Sequence, residues 1–211
     1  VIVAPDGAPA LAIAGLAEEV FTYSDTVSVG AQVVNSSEIS KRAATADMAI
    51  VPANVAANLY NKGTDIKVIA TVTHGNLYMV GLADTPEVTD LTQLEGQIVA
   101  SIGQNSVPDS LFKAMLTKAG VEYVVAGDPA NVTAAEGKVT LVYGADGSAV
   151  IPLVVTGKAA YGIIGEPAVS TGAKNKGLTE KASLQELWNE ANNTTCGYSQ
   201  AVLIMKSSLA E

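Results

Sequence analysis

Apolar residues along this chain gather in short runs, each followed by small or polar residues and then by a stretch with helical spacing. VIVA leads into Pro5-Asp6-Gly7-Ala8-Pro9, and MAIV into Pro52-Ala53-Asn54. IVASI leads into Gly103-Gln104-Asn105-Ser106-Val107-Pro108, and YGII into Gly165-Glu166-Pro167. Short apolar runs bounded by turn residues predict strands, each feeding a helix N-terminus. In open parallel sheets ligands settle outside the carboxyl ends of strands, where unpaired N–H groups and the positive end of the helix dipole face outward. Four such ends predict one shared cleft.

The pattern up to Val80 predicts strand 1–4, helix 8–20, strand 27–34, helix 37–45, strand 47–51, helix 53–61 and strand 66–72. Ser37 is the expected N-cap of the second helix, and Gly63 the left-handed residue closing the third. Texture changes at Ala83-Asp84-Thr85-Pro86-Glu87, where a second domain is expected to begin. There the same grammar predicts a short helix over 89–96, strand 97–102, helix 109–119 closed by Gly120, and strands 121–125 and 138–143. Helix 147–156 closed by Gly157, strand 160–164 and helix 167–172 follow, with Asp146-Gly147-Ser148 read as a structural cap. Lys174 to Lys181 reads as polar and exposed, 184–188 as a short amphipathic helix, and Ala201 to Met205 as a closing strand. A closing strand implies that the chain recrosses to its first domain, giving a discontinuous lobe of 1–84 plus 199–211, a second lobe of 85–198, and a two-strand hinge.

Composition narrows the classes of function. The chain has 211 residues, 48% hydrophobic and 16% charged, which fits a folded α/β protein and argues against disorder. Its formal charge of −9 repels phosphate backbones and anionic lipid, so no nucleic-acid partner is expected. The stretch from Val68 to Ala83 has no Asp, Glu, Lys or Arg yet contains His74, Gly75 and Asn76, and falls short of the ~20 apolar residues that cross a bilayer. No basic or apolar leader precedes Val1, so any export signal is expected either to have been removed or never to have existed. A single cysteine, Cys196, excludes an internal disulfide and a thiolate metal site, and reads as a small packing residue.

The inventory for catalysis is thin: one histidine, one cysteine and scattered carboxylates without metal-ligand spacing. No nucleophile elbow, zinc-protease, paired-cysteine or Walker motif occurs, and Gly7, Gly103 and Gly165 stand singly rather than in a dinucleotide fingerprint, so neither metal nor cofactor is expected. His74 is either a hydrogen-bonded structural residue or a ligand contact near the hinge. Asp6 either fixes its own loop or accepts a bond from a ligand, and Glu166 poses the same pair of readings. Asn54, Asn105 and Ser106 either cap helices or touch a ligand. None of the four loops holds Lys or Arg, and the only arginine, Arg42, lies in the second helix, so an anionic ligand would rely on backbone amides.

Taken together, PDGAPALAIAGL, ADMAIVPANVAANLYNKG, LEGQIVASIGQNSVPDSLFKAML, GKAAYGIIGEPAVS and QAVLIMKSSLAE resemble the nitrate/sulfonate/taurine-type solute-binding proteins of ABC importers, the NMT1/THI5-like family. The ordered pair of Gly157-Lys158-Ala159-Ala160 before Gly165-Glu166-Pro167-Ala168, with Leu94-Glu95-Gly96 upstream, is the most specific part. The resemblance implies a type II periplasmic-binding-protein fold, two α/β lobes with mostly parallel sheets joined by a two-strand hinge. It also implies capture of a small molecule in the interlobe cleft, delivery to a membrane permease, a monomer, and an extracytoplasmic location, in a periplasm or as a cell-surface lipoprotein. By family position the first lobe would contribute Asp6, Gly7, Ala8, Pro9, Asn54 and the His74-Gly75-Asn76 turn. Asn105, Ser106, Val107, Gly165 and Glu166 would oppose them. The lack of cationic side chains in the loops favours a neutral or heterocyclic metabolite over a sulfonate or nitrate. Family members usually continue with helices beyond the last strand.

Two other classes compete with a non-catalytic binding protein. An enzyme on the same fold, of pyrimidine- or menaquinone-precursor synthesis, would need His74 or a cleft carboxylate to act, and the pyrimidine-synthesising relatives use a cysteine-rich stretch this chain lacks. The effector domain of a transcription regulator would need an attached DNA-binding region.

Overall fold

The computed structural model describes residues 1–17 and 20–210. In chain order it begins with β1 (Ile2–Pro5), α1 (Ala8–Leu11), α2 (Ala14–Ala17), β2 (Phe21–Ser24), β3 (Val27–Val29), β4 (Ala31–Val34), α3 (Ile39–Ala43), β5 (Met48–Pro52), α4 (Ala53–Asn61) and β6 (Ile66–His74). It continues with β7 (Leu77–Leu82), a 3-10 turn at Leu91–Leu94, β8 (Ile98–Ile102), α5 (Val107–Lys118), β9 (Tyr123–Val125), β10 (Val139–Gly144), α6 (Gly147–Val155) and β11 (Tyr161–Gly165). Last come α7 (Ala168–Lys176), β12 (Leu178–Ser183), α8 (Leu184–Asn192) and β13 (Ser199–Lys206).

These elements form two compact units, Val1–His74 with Ser199–Glu211, and Gly75–Tyr198. The first crossing therefore falls at Gly75 and not at residue 85. The reason is β7: its backbone pairs antiparallel with β11 and β12, both of the second unit. The apolar run after His74 carries no local mark of which sheet will take it.

The first unit holds a five-stranded sheet in the order β4-β1-β5-β13-β6, parallel across β4, β1 and β5, with β13 antiparallel to both neighbours. Alternate residues of its central strands face opposite layers, as the two-residue period of a strand requires. Val3, Ala49 and Val51 pack with Ile39, Ala43, Ala56 and Leu59 of α3 and α4, whereas Ile2, Ala4 and Ile50 pack with Ile13 on the other face.

The predicted helix 8–20 resolves into the two single turns α1 and α2, and its residues Glu18 and Glu19 lie outside the described ones. Leu11 is exposed while Ile13 is buried, so this alanine-rich stretch offers little apolar surface to hold a longer helix on the sheet. The predicted strand 27–34 is likewise split at Gly30: β3 forms a hairpin with β2, and β4 pairs with β1. Helix 37–45 shortens to α3, with Glu38 at its N-cap; the Ser37 hydroxyl is directed instead to Asn35 Oδ1 at 2.6 Å.

The second unit holds a six-stranded sheet in the order β12-β7-β11-β8-β10-β9. β11, β8, β10 and β9 are parallel, and β7 and β12 extend the sheet antiparallel. Met79, Val99, Leu141 and Ile163 face one core, with Phe112, Met115 and Leu116 of α5 and Leu184 of α8. Their strand neighbours Val80, Ala100, Val142 and Ile164 face another, with Val150 and Val154 of α6 and Val169 of α7. Burial on both faces is why these strands read as unbroken apolar runs. The segment 174–181, expected to be exposed, instead includes most of β12: Leu178 and Lys181 are buried while Thr179 and Glu180 face outward, a half-polar edge strand.

Candidate functional site: two strand-end edges

In the first unit the carboxyl ends of the parallel strands β4, β1 and β5 share one edge. β1 ends in Asp6-Gly7, where Gly7 has φ 90° and ψ −151°, a conformation that disfavours any side chain, and Ala8 and Pro9 open α1. The Asp6 carboxylate accepts the Ser36 N–H at 2.9 Å and a short bond from the Ser36 hydroxyl, tying the β1 loop to the β4 loop. Of the two readings of Asp6, its structural part is thus a tie to a neighbouring loop, not an Asx turn within its own. Asn54 lies in the first turn of α4, and its Oδ1 is buried without a donor; so is Oε1 of Gln200, which precedes the pairing of Ala201 of β13 with Pro52 at the end of β5. Gln200 escaped the sequence reading, since only the antiparallel return of β13 brings it there. His74 closes β6 opposite Ser199 and is exposed.

Gly75 and Asn76 belong to the second unit. Gly75 has φ 63°, which favours glycine, and donates its N–H to Tyr198 O at 3.0 Å; a Cβ there would lie 2.0 Å from Gln185 Oε1 and would displace that side chain. Asn76 leads into β7, whose Leu77 pairs with Gly165, and its Oδ1 is buried without a donor. The backbone oxygen of Asn76 accepts the Glu166 N–H at 3.4 Å. Asn76, Gly165 and Glu166 are therefore brought together.

The same edge collects the ends of β8 and β10, which run parallel with Ile102 beside Gly144. After β8 the chain turns through Gly103 at φ 70° and Asn105 at φ 60° into Ser106 and Val107, the start of α5. A Cβ on Gly103 would lie 2.6 Å from Ser106 Oγ, which donates to Gly103 O at 2.7 Å. Asp109, only 4% exposed, holds this loop from beneath. It accepts the Asn105 N–H at 2.8 Å, the Tyr143 hydroxyl at 2.5 Å and the Lys113 ammonium at 2.8 Å. Burial pushes the Asp109 carboxyl up, but Lys113, Tyr143 and the Asn105 N–H together hold it below the ordinary carboxylate range. Tyr143 is raised in turn, by burial and by its bond to Asp109. Asp109 was missed in the sequence because its partner Tyr143 stands far along the chain on β10; its four-residue spacing from Lys113 was the available signal.

Asp146 caps α6, accepting the N–H groups of Ser148 at 2.8 Å and Ala149 at 3.2 Å, as its sequence predicts. Glu166 accepts the N–H of Ser170 at 3.2 Å and its hydroxyl at 3.0 Å, and the peptide bond to Pro167 is cis. Among the described residues no group of three or more His, Cys, Asp or Glu side chains is arranged to hold a metal ion, and no helix is long and apolar enough to cross a membrane.

Residues 32–138 match the NMT1/THI5-like family model. The chain belongs to this family. The match covers the second strand-end loop of the first unit, the crossing at Gly75 and the Asn105 to Val107 loop. No curated protein matches the sequence.

Solved structures share the fold of this NMT1/THI5-like chain. An ABC transporter protein from Parabacteroides distasonis superposes with a TM-score of 0.73 at 22% identity, over 99% of this chain and 66% of its own. The periplasmic aliphatic sulphonate binding protein SsuA from Escherichia coli gives 0.66 at 12% identity, over 99% and 61%. The zinc-bound ligand-binding component of an ABC-type import system from Staphylococcus aureus gives 0.62 at 11%, over 100% and 67%. This NMT1/THI5-like chain thus has the α/β fold of periplasmic binding proteins and spans about two thirds of the length of such relatives.

Proposed function

We propose that this chain is the solute-binding part of an ABC import system, working outside the cytoplasm as a non-catalytic carrier that hands a small molecule to a membrane permease. The observation that supports it is that, in a member of the NMT1/THI5-like family, strand ends and helix starts converge at one edge of each unit. The proposed solute contacts are Asp6, Gly7, Ala8, Pro9, Asn54 and His74 in the first unit. In the second they are Gly75, Asn76, Asn105, Ser106, Val107, Gly165 and Glu166. Binding would stabilise a closed form of a protein that acts as a monomer. The absence of Lys and Arg from the strand-end loops favours a neutral or heterocyclic metabolite over a sulfonate or nitrate.

Native mass spectrometry of the purified protein, followed by a thermal-shift screen of sulfonates, nitrate and small heterocycles, tests this. A co-purifying mass, or a compound that raises the melting temperature and is recovered unchanged, is the expected result. Chemical conversion of the compound would replace the carrier with an enzyme.

A further inference from the structure

The chain passes between its units at His74–Gly75 and again at Tyr198–Ser199. On the second unit's side each crossing carries a left-handed glycine, Gly75 at φ 63° and Gly197 at φ 67°. Hinges take up their motion in a few backbone torsions at the ends of elements, and glycine has the widest choice of them. These two glycines are not independent. Both stand against one side chain, Gln185 in the first turn of α8. A Cβ on Gly75 would overlap its Oε1, and a Cβ on Gly197 would lie 2.9 Å from its Cγ and 3.1 Å from its Nε2.

The next turn of α8 holds the same two segments. Asn189 Oδ1 accepts the Gly197 N–H at 2.8 Å, and the Trp188 and Tyr198 rings meet edge to face with centroids 6.1 Å apart. The backbone oxygen of Tyr198 in turn accepts the Gly75 N–H at 3.0 Å. Gln185, Trp188 and Asn189 have the three- and four-residue spacing of a single helix face, so one face of α8 grips both crossings. The helix itself is anchored within the second unit. Leu184 at its start is fully buried, Ser183 Oγ accepts the Glu186 N–H at 3.4 Å, and at its far end Lys118 of α5 donates to Asn192 Oδ1 at 2.7 Å. With contacts this close, neither glycine changes its torsions without displacing the Gln185 side chain.

We infer that Gln185 is a wedge that locks both crossings at once, so that they yield together and only when this side chain leaves the two glycines. The lock belongs to the solute-free protein and goes beyond the carrier reading.

The test is amide hydrogen exchange and 15N relaxation dispersion on the labelled protein with no solute added. Gln185→Ala removes the wedge and should speed exchange of the Gly75 and Gly197 amides at least about tenfold, with millisecond broadening at both. Gln185→Met keeps the length of the side chain without its amide and should exchange like the parent. Glu186→Ala, at the exposed neighbouring position, controls for helix propensity and should also match the parent. The buried strand amides of Val99 and Leu141 should keep parental protection throughout, which verifies the fold. Should Gln185→Ala lose that protection, the shorter Gln185→Asn takes its place with the same expected result. Parental exchange at both glycines without the wedge, acceleration at only one of them, or equal acceleration in Gln185→Met or Glu186→Ala would each overturn the inference. Since no solute is involved, any of these outcomes leaves the carrier reading standing.

Discussion

Asp109 Oδ2 accepts the backbone N–H of Asn105 at 2.8 Å, and Asn105 sits in the left-handed region at φ 60°. A buried carboxylate four residues downstream thus pins the one non-glycine residue of the β8–α5 loop whose backbone is under strain. The other Asp109 oxygen binds Tyr143 and Lys113, so the loop, the first turn of α5 and the end of β10 are joined through a single side chain.

Replacing that carboxylate by an amide should show what the junction contributes. Asp109→Asn leaves the Lys113 ammonium without its counter-charge and forces a choice among three donors, at a cost of about 1–3 kcal/mol. A urea melt should show a lowered midpoint with an unchanged slope. A midpoint within error of the parent would mean that the pairing is no stronger than an exposed one.

Acid should act through the same residue. The folded carboxyl of Asp109 lies below its unfolded value, so its contribution is fully present above about pH 4 and is lost as pH falls through the folded value. Glu180 has the opposite sign: its folded carboxyl is raised, so its ionised form weighs against folding above about pH 4.3. Glu180→Gln should therefore raise the melting temperature at pH 7 and lose that advantage near pH 3.5. A gain that persists at low pH would point to packing and not charge.

Packing in the second unit depends on close approach at Gly162, in the middle of β11. A Cβ there would lie 2.8 Å from Val154 Cγ2 and 3.0 Å from Val150 Cγ1, both buried on α6. Gly162→Ala should push α6 off the sheet and cost about 1–3 kcal/mol. Thermal unfolding measures this directly, and a neutral outcome would show that α6 shifts freely.

Ser106→Trp should abolish solute binding while the protein remains folded. Ser106 is half-buried at the start of α5 and donates to Gly103 O, so the loss of one hydrogen bond costs about 1 kcal/mol, whereas the indole fills the strand-end edge. Isothermal titration with the solute identified by native mass spectrometry, set beside a circular dichroism melt, separates the two effects. Unchanged affinity would remove Ser106 from the site.

Much of the local geometry at the strand ends was legible because it depends on near neighbours. Gly7, Gly75 and Gly103, the caps at Asp146 and Glu166, and the strand-to-helix turns all depend on residues within a few positions of one another. The roles of Asp6, Gln200 and Asp109 were not legible. Asp6 is satisfied by Ser36, Asp109 by Tyr143, and Gln200 reaches the end of β5 through the pairing of Ala201 with Pro52, three relationships between segments far apart in the chain.

By itself the sequence determined which stretches are buried on both faces of a sheet, as in VIVA, MAIV, IVASI and YGII, and where helices such as α4 and α6 begin, because burial period and backbone capping are short-range properties. Only the tertiary structure decided that β7 joins the second unit, that the half-polar LTEKAS forms its edge strand, and that Phe21–Ser24 pairs with Val27–Val29 in a hairpin. Strand order and side-chain partners are set by which distant segments bury their surfaces together, and a one-dimensional pattern carries the need for a partner without naming it.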